Sequence, residues 1–208
     1  MDNYVITIAR GFGSGGKSIA RELGQRMNIP CYEDEILRMA SDTSGINQAF
    51  FQERNEKLRG GLLTKALKGI PSTQVLSPSD KDFVSDVNLF NFQAEIIRSL
   101  AVSESCIIVG KCADYVLEGY ERVIRVYVDA PRDACIESII KKMGVTADEA
   151  NHLIVKTDKY RADYYKYYTG GRDWTNPTNY DIFINSKRVG RENCAAVIEM
   201  YAKFKLGL

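Results

Sequence analysis

Apolar positions along the chain follow two rhythms, and the switches between them outline a fold. Tyr4-Val5-Ile6-Thr7-Ile8-Ala9 is a β-branched apolar run of strand length, and Ile19 to Met27 then carries apolar residues at helical spacing. Further strand candidates lie near 30–33 and at 106–110, 123–129 and 180–184. Helical patterns fill the intervals. This succession predicts an α/β domain with a parallel sheet and right-handed crossovers. No internal repeat or low-complexity tract breaks it.

The intervals are unequal. About 70 residues separate the second strand from the third, several times the usual crossover. This first insert opens with a helix, Glu35 to Ala40, and continues from Ile46 to Leu67 as a long polar stretch with apolar spacing. A loop rich in Pro, Ser, Thr and Asp, Gly69 to Asp82, is expected to be mobile, and a helix around Asn88 to Ala101 leads back to the sheet. A second insert, Pro131 to Trp174, separates the fourth and fifth strands. The expected organisation is one domain over residues 1–208. Its core is about 1–35, 96–130 and 175–208, with an acceptor-binding insert at about 36–95 and a lid at about 131–174, a clamp around a substrate.

The first strand and the first helix are joined by Gly11-Phe12-Gly13-Ser14-Gly15-Gly16-Lys17-Ser18. The string fits G-x-x-x-x-G-K followed by Ser or Thr, the phosphate-cradling loop of nucleotide enzymes. Glycines let successive N–H groups turn inward around an anion, and the helix beginning near Lys17 adds unpaired N–H groups and a positive dipole end. Lys17 is expected to bridge the β- and γ-phosphates of ATP, and the Ser18 hydroxyl to help hold Mg²⁺. Gly11, Gly13 and Gly16 also satisfy G-x-G-x-x-G, with Glu33, Asp34 and Glu35 following at the distance a dinucleotide fingerprint expects. Two features weigh against that alternative. Lys17 and Ser18 have no task beside a dinucleotide pyrophosphate, and the next convincing strand begins only at Cys106.

Composition narrows the partners. The 208 residues are 45% hydrophobic and 26% charged, as in an ordinary globular protein, and the formal charge of +1 gives no nucleic-acid footprint. No apolar run approaches membrane-spanning length and no signal-peptide pattern opens the chain, so no membrane partner is expected and the cytoplasm is the expected location. Cys31, Cys106, Cys112, Cys135 and Cys194 are scattered, without a C-x-x-C pair, and are expected to be buried free thiols. His152 is the single histidine, on what reads as a polar helix face, which leaves no two-His metal site. Arg54, Lys57, Arg59, Lys65 and Lys68 make the first insert locally basic, a pattern that solvated helix faces share with phosphate sites. Tyr160, Tyr164 and Tyr168 fall on one helical face, which predicts packing onto the body of the protein.

Strand ends on the loop's side of the sheet are where such folds gather chemistry. Glu33 and Asp34 follow strand two, Gly110, Lys111 and Asp114 follow strand three, and Asp129-Ala130-Pro131-Arg132 closes strand four. The second insert adds Lys141, Lys142, Arg161 and Arg172. Lys17 with one or two lid arginines, Arg132 and Arg161, is the smallest apparatus that could neutralise a transferring phosphoryl group.

The chain resembles the cytidylate kinase-like family, a branch of the P-loop nucleoside monophosphate kinases. The residues that carry the resemblance include Ile8-Ala9-Arg10 with Gly13 to Gly16, Ile29 to Asp34, Cys106 to Asp114, Asp158 to Tyr165, Tyr168-Thr169-Gly170, and Asn179 to Asp181 before Asn185-Ser186. The resemblance implies a five-stranded parallel sheet in order 2-3-1-4-5 and ATP- and Mg²⁺-dependent phosphorylation of a small acceptor, a nucleoside monophosphate above all. It implies that Gly11 to Ser18 hold the ATP phosphates. Lys111 stands where such kinases commonly carry an acceptor-binding Arg, Asp114 lies in the same patch, and Asp34 would orient metal water or acceptor. Many relatives read Gly-Gly-Arg-Glu at the loop, whereas this chain keeps Lys17 and Ser18, which favours ATP binding. Lys111 lacks the bidentate fork of Arg. Two other readings stand beside the kinase: an ATP-binding regulator without turnover, and a kinase of a non-nucleotide small molecule.

Overall fold

Five parallel strands in the order β2-β3-β1-β4-β5 form the centre of the computed structural model, which describes residues 3–56 and 74–208. They are β1 (Val5–Arg10), β2 (Cys31–Tyr32), β3 (Cys106–Val109), β4 (Val123–Asp129) and β5 (Ile182–Asn185). The order is the one that the resemblance implied. In chain order the helices are α1 (Gly16–Met27), α2 (Glu35–Ser44), α3 (Gln48–Glu56), α4 (Asp86–Ser103) and α5 (Ala113–Val116). After them come α6 (Arg132–Met143), α7 (Ala147–Tyr168), α8 (Ser186–Val189) and α9 (Arg191–Leu206). Residues 57–73 lie outside the described residues, so the expected basic cluster at Lys57, Arg59, Lys65 and Lys68 does too, with the side chain of Arg54.

The middle strand explains the architecture. β1 pairs with β3 through Val5–Cys106 to Ile8–Val109 and with β4 through Val5–Val123 to Arg10–Val128. Covered on both faces, such a strand reads as a continuous apolar run. Successive side chains go to opposite layers. Val5, Ala9, Cys106, Ile108, Val123 and Tyr127 meet α4, α5 and α7, whereas Ile6, Ile8, Ile107, Val109, Ile124 and Val126 meet α1 and α9. A smaller cluster joins α2, α3 and α4 through Leu37, Phe51 and Leu89, and another joins α6 and α7 through Ile139 and Ile154.

The second insert is anchored rather than free. Its helix α7 starts on a capping box: the Thr146 hydroxyl accepts from the Glu149 N–H, and the Glu149 carboxylate accepts from the Thr146 N–H. The far end of α7 is core. Tyr164, Tyr165, Tyr167 and Tyr168 are buried, and the Tyr168 ring stacks on Phe90 of α4 with centroids 4.0 Å apart. The expected packing of this tyrosine face is what the structure has. His152 is exposed on the same helix, and the five cysteines are free thiols, all buried except half-buried Cys31. In the loop expected to be mobile, residues from 74 onward are tied to α4: Asn88 Oδ1 accepts from the Leu76 N–H, and Asn91 Nδ2 donates to the Gln74 carbonyl.

Ile97, fully buried where α4 covers the sheet, gives a test of this packing. Ile97→Ala should cost about 2–5 kcal/mol. In urea the midpoint of unfolding should fall with little change in slope.

Candidate active site

The loop between β1 and α1 leaves the sheet in register, the Gly11 N–H donating to the Val128 carbonyl at 3.0 Å. Gly13 and Gly15 both have φ of +88°, which glycine adopts at little cost. A Cβ on Gly13 would stand 2.8 Å from the carbonyl oxygen of Cys135, so space as well as torsion excludes a side chain there. Every loop carbonyl from Gly11 to Gly15 except that of Phe12 has a donor. Gly11 O accepts from the Ser14 hydroxyl at 2.8 Å, Gly13 O from Arg191 Nη2 at 2.6 Å and Ser14 O from the Ser186 hydroxyl at 2.6 Å. Gly15 O accepts from the Ser18 hydroxyl at 2.8 Å and from the Ile19 N–H at 3.0 Å. By contrast, the N–H groups of Gly13, Gly15, Lys17 and Ser18 have no hydrogen-bond partner among the described residues. Carbonyls bound and N–H groups free make a nest for an anion at a helix N-terminus.

Charged side chains close around this nest. Lys17 Nζ pairs with Glu33 Oε2 and lies 3.9 Å from Asp34 Oδ2. The other oxygen of Glu33 takes Arg10 Nη2 at 3.2 Å. From α7, Arg161 Nη1 donates to the Arg10 carbonyl at 2.9 Å and lies 3.4 Å from Asp158 Oδ1, with its guanidinium over the Phe12 ring. Asp158 Oδ1 also accepts the Phe12 N–H at 2.8 Å. Burial dominates the proton affinities here. It raises the Asp158 carboxyl against the pull of the Phe12 N–H, lowers the Arg10 guanidinium, and with Arg10 nearby brings Arg161 down to about 10.

Two cavities meet at this point. The first, about 1060 Å³, runs along the phosphate loop between α1 and α6, with Lys17, Ser18, Arg21, Lys141 and Arg191 in its walls. The second, about 460 Å³, lies beyond the end of β3, between Lys111 and the α7 side chains Lys156, Tyr160 and Tyr164, with Trp174. Lys111 sits in a left-handed turn, φ 59°, after Gly110 at φ 77°. Burial first, then the neighbouring Arg10, brings its ammonium down to about 8. Asp114 is buried in the same wall and accepts the Tyr165 hydroxyl at 2.7 Å, while burial raises its carboxyl.

The structure therefore brings together Gly11, Phe12, Gly13, Ser14, Gly15, Gly16, Lys17 and Ser18 with Asp34 and Arg161, and sets Lys111 and Asp114 in the adjoining pocket. It does not bring Arg132 there. That guanidinium is exposed on the first turn of α6 and bonds the side chain and carbonyl of Asn151 at 3.0 and 3.1 Å, tying α6 to α7. Ser18 Oγ is in the first turn of α1, exposed to the cleft. Among the described residues no cluster of three His, Cys, Asp or Glu side chains could hold a metal. One hydroxyl beside bound phosphates fits Mg²⁺, which keeps water and phosphate oxygens as most of its ligands.

Sequence reasoning assigned no role to Arg10, Asp158, Ser186 or Arg191, and left Glu33 as a strand-end candidate. Ser186 and Arg191 follow β5 on the same side of the sheet as the other strand ends. Applying the strand-end rule to the fifth strand would have found them.

The fold is that of P-loop kinases. An uncharacterized protein from Eubacterium ventriosum ATCC 27560 is similar over 97% of this chain and 99% of its own, with 25% identity and a TM-score of 0.69. A shikimate kinase from Bacteroides thetaiotaomicron is similar over 99% of both chains, at 14% identity and TM-score 0.50. A shikimate kinase from Acinetobacter baumannii, solved in complex with shikimate, is similar over 98% of this chain and 96% of its own, at 10% identity and TM-score 0.51. These two likenesses are of fold. No curated protein matches the chain. The sequence model of one family matches residues 5–188, a span that holds all five strands, the phosphate loop and both cavities' α7 wall: the chain belongs to the cytidylate kinase-like family.

Proposed function

We propose that the protein transfers the γ-phosphoryl group of ATP, with Mg²⁺, to a nucleoside monophosphate. Family and fold support kinase-type phosphoryl transfer. The observation that carries the finer reading is the pairing of cavities: an anion nest with Lys17 opens into a second pocket that offers the half-buried side chain of Lys111. ATP would place its β- and γ-phosphates on the unpaired N–H groups and Lys17, with Ser18 on the metal. Lys111 would hold the acceptor's phosphate and the Tyr160 and Tyr164 rings would flank the rest. Arg161 would neutralise charge on the transferring group, and Asp34, exposed at the mouth, would orient acceptor or metal water. Asp114 would act through Tyr165, keeping the pocket wall in place. Arg132 has no part unless it leaves Asn151. No protein nucleophile is required, since phosphoryl transfer rests on positioning and electrostatics. Residues 36–95 and 131–174 would serve as acceptor-binding and lid segments around this site.

A non-nucleotide acid is the second reading of the acceptor. It is favoured by Lys111 itself, whose single ammonium suits a carboxylate as well as a phosphate.

Lys17→Ala should lower ATP-dependent phosphoryl transfer by about two orders of magnitude or more, measured as ADP release. Its thermal midpoint should hardly move, because the Lys17 side chain is 40% exposed and its ion pair contributes little to stability. Full turnover in Lys17→Ala would overturn the mechanism. With ATP, a panel of CMP, dCMP, UMP, AMP and small sugars and acids should give ADP formation dependent on one monophosphate. Dependence on a carboxylic acid alone would establish the second reading, and ATP binding without any productive acceptor would mark a binding protein.

The Lys111 ammonium also makes acceptor binding depend on pH. Burial lowers its proton affinity most, Arg10 and Arg161 lower it further, and Glu33 and Asp34 oppose them, leaving it charged below about 8 and neutral above. Acceptor KM should therefore be flat below pH 8 and climb above it, approaching about tenfold per pH unit if charge alone binds. Lys111→Arg should keep KM flat to pH 10. A rise of equal steepness in that variant would place the titration elsewhere.

A further inference from the structure

We infer that Arg10 is a catalytic cation, the side chain that the transferred phosphoryl group meets between donor and acceptor, and that Glu33 holds its place until nucleotide arrives. The inference rests on the phosphoryl-transfer reading above. Among the described residues, only Arg10 and Arg161 line both cavities. Both side chains therefore stand at the junction between the loop and the Lys111 pocket. Arg161 was expected to serve from the sequence; Arg10 was not.

Arg10 is built for such a position. It is the last residue of β1, so its backbone is fixed by pairing to β4 and does not depend on movement of the inserts. Its side chain runs through a slot between two glycines. A Cβ on Gly16 would lie 2.5 Å from Arg10 Cβ, and one on Gly110 would collide with Arg10 Nη1. A guanidinium held in this way is pre-organised, and little rotamer freedom remains to be lost when it forks onto phosphoryl oxygens. The Arg10 carbonyl also receives Arg161, so the two cations are fixed relative to one another.

Glu33 marks where the anion belongs. One carboxylate oxygen meets Lys17 and the other meets Arg10, so a single planar anion spans the loop lysine and the strand-end arginine. The Glu33 side chain is only 14% exposed. A γ-phosphoryl group presents the same kind of oxygen edge to the same two cations. Nucleotide must displace Glu33 from both, and Arg10 is then free to stabilise charge on the equatorial oxygens as transfer proceeds. In that step the bond from the γ-phosphorus to the bridging oxygen breaks, and its electron pair stays on ADP. A bond forms to an ionised phosphate oxygen of the acceptor, which has no proton to lose, so total charge is conserved.

Binding alone tests this, without an acceptor. Mg·ADP and a non-hydrolysable Mg·ATP analogue are titrated calorimetrically into the full chain and three variants. Arg10→Met should weaken the analogue by about tenfold and leave ADP within about twofold, since only the γ-phosphoryl reaches Arg10. Arg10→Lys should fall between. Glu33→Gln should tighten the analogue by about threefold or more, because Lys17 and Arg10 are released. Equal weakening of both ligands in Arg10→Met would make Arg10 a shaper of the loop and overturn the inference, as would no weakening of either. Should Arg10→Met fail to fold, unchanged analogue affinity in Glu33→Gln and Arg10→Lys overturns it equally. If the unmodified chain binds neither nucleotide, the phosphoryl-transfer reading itself falls and the inference with it.

Discussion

A loop that offers its N–H groups to an anion must find partners elsewhere for the carbonyls of the same peptides. Leaving one buried polar group unpaired costs about 1–3 kcal/mol, so this requirement shapes much of the molecule. Ser14 serves one carbonyl locally, but those of Gly13 and Ser14 depend on Arg191 and Ser186. Both donors come from the far end of the chain and reach the loop because β5 lies beside β4 and α9 packs on α1. The sheet order is therefore more than a scaffold for the loop. It delivers the groups that turn the loop's polarity inward.

The opposite wall is set by α7, whose two halves do different work. Around Tyr164 and Tyr168 it is part of the core, stacked on Phe90 and beneath α4. One to two turns earlier, Asp158 and Arg161 touch the loop at the Phe12 N–H and the Arg10 carbonyl. The charged pair that α7 turns toward the loop is thus rooted in the hydrophobic core. α7 cannot swing away as a rigid rod without unpacking those aromatic rings.

What could be read from the sequence, and what could not, follows from the range of the interactions. The strands were legible because a strand buried on both faces has no polar alternation to disguise it, as in Val5 to Ala9 and Val123 to Val128. The nest was legible because its geometry is made by eight consecutive residues. Arg191 and Arg161 were harder, because their partners, Gly13 of the loop and Arg10 at the end of β1, are 178 and 151 residues away. Arg161 was found as a basic residue of the second insert, whereas Arg191 lies outside both inserts, beyond β5. Arg132 shows the limit of reasoning from strand ends. That rule locates a Cα, but the direction of a long side chain is decided by nearby acceptors, and Asn151 is the one that Arg132 reaches.

The same view explains why the site concentrates half-buried positive charge. Burial lowers Arg10, Arg161 and Lys111 together, and Arg10 adds repulsion to each of the other two. A fold selected for stability alone would place such groups in water, since removing a cation from solvent is costly unless it is paired. Here the pairing is incomplete by design of the backbone. Glu33 answers Arg10 and Lys17 at once, Asp158 answers Arg161 while also holding the Phe12 N–H, and Lys111 has no ion-pair partner among the described residues. The cost is met by the packing of the sheet and its helices, and under the proposed function a bound polyanion would recover it. The electrostatic deficit, the free N–H groups and the two abutting cavities are thus one feature seen from three sides: a site whose backbone and side chains are both arranged for an anion.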